Sequence, residues 1–146
     1  MPTKEKKAGT KNAVTFKNKE LVEVMGWLNV PLHSEQARAR NKIVDILNTE
    51  FEIFEKERIA ICDKYTDRTP EDNKPIMQDG HYKIKDEHKE TFDKEWKDLQ
   101  DAPVTFDILP SNREHWRIVR NVIEKTNREM DIDQTAFWEK ILEALS

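Results

Sequence analysis

Residues 79–99, DGHYKIKDEHKETFDKEWKDL, set His81 and His88 among Asp86, Glu87, Glu90, Asp93 and Glu95. Imidazoles and carboxylates ligate zinc and move protons, so this stretch offers more chemistry than any other in the chain. A helical zinc pair needs two histidines about one turn apart, with a third ligand close by. His81 and His88 stand across a strand-to-helix boundary, and neither has a His or Cys at helical spacing. Asp86, Glu87 and Glu90 suit the first turn of a helix, where the dipole favours negative charge without a metal. The stretch reads as a folded joint, with no metal ligand and no catalytic residue in it. His115, beside Glu114 in a first helical turn, and His33, in a loop before Ser34, are equally ordinary.

Cys62 lies among apolar residues in ERIAICDKY and reads as a small buried hydrophobe, not a nucleophile. As the single cysteine it excludes an intrachain disulfide and any multi-cysteine zinc site. Gly9, Gly26 and Gly80 are the only glycines and are too far apart to build a phosphate loop. Arg113, Arg117 and Arg120 share a helical face near Trp116, an arrangement that could touch phosphates but reads as a solvated surface. The chain therefore reads as a non-enzyme, with no catalytic, cofactor-binding or metal residues and no cofactor.

The elements that position these residues follow from composition and period. The chain is 36% hydrophobic and 37% charged, with three Gly and six Pro for turns, so helices with solvated outer faces should dominate. The net charge of −4 is mild and evenly mixed, so nucleic acid is not an expected partner. No run approaches the roughly 20 apolar residues of a membrane span, and no apolar run follows the basic start to make it a secretory signal. Lys4, Lys6, Lys7 and Lys11 give residues 1–12 the character of a flexible basic tail. Residues 13–146 are expected to form a single globular domain.

AVTF (13–16) predicts a short strand, and Leu21, Val24, Met25 and Leu28 a first helix with Asn18 as N-cap and Trp27 closing the core's edge. Residues 34–65 hold no Gly or Pro, which predicts one spine helix of roughly 48 Å. Ile43, Leu47, Phe51, Phe54, Ile61 and Tyr65 form its main stripe, and Ala39, Ile46, Ile53 and Ala60 a heptad-spaced second face. Residues 66–80 read as a loop, 81–85 as a strand, and 86 onward as a helix capped by Asp86 with Phe92, Trp96 and Leu99 inward. VTFDIL (104–109) gives another strand. Two helices follow, one starting at Asn112 with Trp116, Val119 and Ile123 inward, the other capped by Asp133.

The fold class is thus helix-dominated α+β: a spine helix, a small sheet of about three short strands and a C-terminal helical hairpin. Phe54, Trp96, Phe106 and Trp116 are expected to be buried together. Adjacent Phe137 and Trp138 point about 100° apart, so burying both requires contacts on two sides of their helix. With Ile46 and Ile53 on the spine's second face, they form a candidate interface, suited to a two-fold dimer; a monomer whose helices cover both faces is the alternative.

The order VTFKNKELVEV, a long charged helix ending in KY, a DGHYKIKDE joint and then VTFDI resembles a family of small bacteriophage proteins of Gram-positive hosts, known only as a domain of unknown function. The likeness covers residues 13–109; the helices from residue 112 depart from it. It implies a phage or prophage setting and lends no catalytic residues. The expectation is an accessory protein that binds another phage or host protein, in virion or tail assembly, found in the host cytoplasm or on the virion. The alternative is an inhibitor of a host defence or replication protein.

Overall fold

The computed structural model describes residues 12–146. Residues 1–11, most of the expected basic tail, lie outside the described residues. The elements in chain order are β1 (Ala13–Lys17), α1 (Leu21–Leu28), α2 (Ser34–Tyr65), β2 (Met77–Gln78), β3 (His81–Tyr82), α3 (Lys89–Asp101), β4 (Pro103–Asp107), α4 (Arg113–Glu124) and α5 (Ile132–Leu145). The fold is helix-dominated α+β, as the composition requires.

The spine α2 has the bounds that its uninterrupted composition predicts. It is packed against α1, α3 and α4. Its two ends serve different clusters. Ala39, Ile43 and Leu47 are buried towards the N-terminal end, and Phe54, Cys62 and Tyr65 towards the C-terminal end. Ile43 and Leu47 join the main core with Val14, Phe16, Leu21, Leu28, Phe106, Trp116, Ile123 and Ile141. Burial of such side chains away from water is the principal stabilising term.

The four large aromatics do not meet in one place. Phe54 stacks on Trp96 with ring centroids 5.7 Å apart, and Phe106 packs on Trp116 at 6.0 Å. Only the second pair belongs to the main core. A helix of this length outruns one small core, so residues on a common stripe reach separate clusters. Around the spine's C-terminal end, Tyr65 meets Phe92 edge-on at 6.4 Å, and its hydroxyl donates to Glu95. That bond is the foremost cause holding the Glu95 carboxyl below its usual range.

The two VTF runs are each other's partners. β1 and β4 pair antiparallel, with Val14 opposite Phe106, Thr15 opposite Thr105 and Phe16 opposite Val104. Val14, Phe16 and Phe106 face the core, while the Thr15 and Thr105 hydroxyls meet at 3.0 Å on the outer face. The expected third strand does not join them. Residues 81–82 pair only with Met77–Gln78 in a separate hairpin. The intervening loop folds back and satisfies that backbone itself: Asp67 N–H donates to Lys83 O, Ile76 N–H to Asp67 O and Lys83 N–H to Ile76 O, all within 2.9 Å. The hairpin turns through Asp79 and Gly80 at φ 51° and 80°, the two positive values that a two-residue type I′ turn demands.

Three capping expectations are corrected. Asn18 lies inside a short 3-10 turn; its side-chain N–H donates to the Leu99 carbonyl at 2.9 Å, tying the end of α3 to the start of α1. Asp86 makes no cap bond; it is exposed and pairs with Lys89. α5 is capped by Asp131, not Asp133. Its carboxylate accepts Gln134 N–H at 2.8 Å while Gln134 Oε1 accepts Asp131 N–H at 3.0 Å, a reciprocal box that Asp133 lacks. Asn112 does stand at the start of α4, where its side chain accepts the Leu109 N–H at 2.8 Å.

Candidate functional site

The stretch richest in imidazole and carboxylate is put to structural use. The His88 ring packs on Tyr65 with centroids 5.4 Å apart, at the start of α3. His81 sits exposed in β3, at the rim of a cleft of about 380 Å³ that Tyr82, Phe92 and Trp96 also line. Among the described residues, no three His, Cys, Asp or Glu side chains are grouped to hold a metal. Cys62 is buried, and burial pushes its thiol up, towards the protonated form. Arg117 and Arg120 are engaged by Glu114 and Glu124 on their own helix.

The four candidate interface residues divide. Phe137 and Trp138 are half-buried against the main core, and the Trp138 indole N–H donates to the Ile123 carbonyl at 2.8 Å. α4 and β1 both contact α5, so the chain's own elements supply the two-sided cover that these adjacent aromatics require. Ile46 and Ile53 come together in a different place. They line a groove of about 560 Å³ between the spine and β4. Ile46 is half-buried, and Ile53 is 46% exposed. The heptad face to which they belong leaves the core along the helix, from buried Ala39 to exposed Ala60.

The opposite wall of this groove is an open strand edge. Ile108 N–H donates to Asn12 O at 2.8 Å, and Asn18 N–H to Ala102 O at 3.0 Å, so these pairs carry ladder bonds at the two ends of the β1–β4 register. Alternation in an antiparallel ladder makes Val14–Phe106 and Phe16–Val104 hydrogen-bonded pairs too. Pro103, Thr105 and Asp107 therefore aim their backbone groups away from β1. Among the described residues the sheet has two strands, and none of them pairs with β4 on that side. Consecutive residues 103–106 all line the groove, although their side chains alternate between two faces. A groove running along the strand's edge touches both sets.

The groove is acidic as well as apolar. Glu50 and Glu57 lie in its spine wall beside Ile46, Thr49 and Ile53, and no lysine or arginine among the described residues lines it. Neither carboxylate has an ion-pair partner among the described residues. No family model matches the chain, and no curated protein or solved structure matches it. The site's chemistry thus rests on its own geometry.

Sequence reasoning reached the spine half of this groove through the surplus apolar face. It missed Thr105, Pro103, Glu50 and Glu57. One signal was present: a strand that begins with proline is suited to an edge, because proline lacks a ladder donor.

Proposed function

We propose that the chain is a non-enzymatic binding protein whose working surface is the groove between α2 and β4. In the phage setting implied by its resemblance, it acts as an accessory protein in virion or tail assembly, in the host cytoplasm or on the particle. The observation that carries this reading is the open edge of β4 facing exposed Ile53 across the groove. Unpaired strand edges and exposed apolar side chains are features that folded proteins normally cover, and both are the usual basis of specific protein contacts. The described helices include none long and apolar enough to cross a membrane.

The test is affinity capture from phage-producing cells with the full chain and its Ile53→Lys variant, read by mass spectrometry alongside purified particles. A virion or tail protein captured by the natural chain and lost with the variant supports the reading. Capture of a host defence or replication factor, again lost with Ile53→Lys, moves the function to host inhibition. Capture that the variant leaves intact removes the groove from the account.

A further inference from the structure

We infer that the occupant of the groove is an extended polypeptide segment that adds to the outer edge of β4 as a third strand, carrying apolar side chains for Ile46 and Ile53 and lysine or arginine for Glu50 and Glu57. This names the partner chemistry of the proposed binding groove and rests on that reading.

Two observations select the occupant. The first is backbone chemistry. The outward N–H and C=O of Thr105, the carbonyl of Pro103 and the N–H of Asp107 form a ready ladder edge, and the matching groups are those of another extended backbone. β4 has five residues, so a guest of about that length spans roughly 17 Å alongside it. The second is charge. Among the described residues, two glutamates without an ion-pair partner and no lysine or arginine line the groove, which selects a basic segment over an acidic one.

A second copy of this chain fits poorly on the same grounds. Its own β4 edge is walled by its own spine, so edge-to-edge pairing would drive each spine into the other copy's groove. It would also bring four glutamates together. A single strand from a partner meets neither obstacle.

The probe is a fluorescein-labelled peptide alternating valine with lysine, titrated with the full chain and followed by anisotropy. Two companion peptides separate the contributions. In one, alternate backbone nitrogens are methylated, which removes the donors of one strand edge without changing charge; in the other, glutamate replaces lysine. Saturable binding to the first peptide and at least tenfold weaker binding to both companions is the expected result. In the chain, Thr105→Pro removes an outward N–H while sparing the β1 ladder, and Glu57→Lys reverses a groove charge. Each should weaken binding at least tenfold with the circular dichroism spectrum unchanged. Amide exchange should show the Thr105 N–H slowed by the peptide. Equal binding of the methylated peptide, which no folding defect can explain, overturns strand addition, as does no saturable binding. Equal binding of the acidic peptide overturns the charge assignment. If these fail while Ile53→Lys still abolishes partner capture, the groove remains the binding site and only the strand-addition inference falls.

Discussion

Phe54→Ala tests whether the spine supports two separate clusters. Phe54 is 6% exposed, stacks on Trp96 at 5.7 Å with planes 9° apart, and meets Phe51 at 6.1 Å. An aromatic side chain buries roughly 150–250 Å², worth roughly 4–6 kcal/mol at about 25 cal/mol per Å². Alanine keeps the β-carbon, and the neighbours Trp96 and Phe51 are only half-buried and can relax into the space. The expected loss is therefore about 3 kcal/mol, the low end of the range for buried phenylalanine. With a urea slope of about 2 kcal/mol/M, the midpoint should fall by about 1.5 M. No residue of α3 is fully buried, so α3 depends on this stack more than α4 does. Amide exchange in α3 should consequently accelerate before exchange in α4. A stability loss below about 1 kcal/mol, or equal acceleration in both helices, would refute the two-cluster reasoning.

Further substitutions probe other links. Asp101 accepts a hydrogen bond from Lys97 at 2.8 Å and forms an ion pair with Lys19 at 3.0 Å, and the two lysines hold its carboxyl down at about 2 against an ordinary 3.8. The folded state thus favours the charged form: the stabilisation is full above pH 3.8 and fades as pH falls through about 2. Asp101→Asn should flatten that part of the acid-unfolding curve, and an unchanged curve contradicts the assignment. Asp131→Ala should cost about 1 kcal/mol by urea titration and Asp133→Ala a few tenths at most; the reverse order would restore Asp133 as the cap. Trp138→Glu should lower the melting temperature, because it removes an indole bonded to Ile123 O inside the chain. A variant that keeps its melting temperature while a light-scattering mass falls to 17.3 kDa would place Trp138 in a dimer interface instead.

The spine was legible because its cause is local: residues 34–65 contain neither Gly nor Pro, and apolar period alone separates inside from outside. Alternation likewise marked both VTF runs as strands. Their pairing was not legible, since Thr15 and Thr105 are 90 residues apart and no local period encodes a partner at that range. Residues 81–85 alternate as well as a sheet strand does, yet the returning loop, 66–77, takes up their backbone groups. Stripes also say which way a side chain points, not which cluster it reaches, so the period alone does not separate Phe54 from the core that holds Phe106. The groove is half visible in the sequence: Ile46 and Ile53 stand out as apolar surplus, while the Thr105 edge follows only from a sheet that has two strands among the described residues.

Amide hydrogen exchange along residues 104–108 of the free chain is the most direct test of the open edge. Val104, Phe106 and Ile108 direct their N–H groups at β1 and should exchange slowly, whereas Thr105 and Asp107 direct theirs away from β1 and should exchange rapidly. That two-residue alternation is the signature of a strand with one bare side. Uniform protection across all five amides would mean that the edge is already paired, and the groove would then be no binding site.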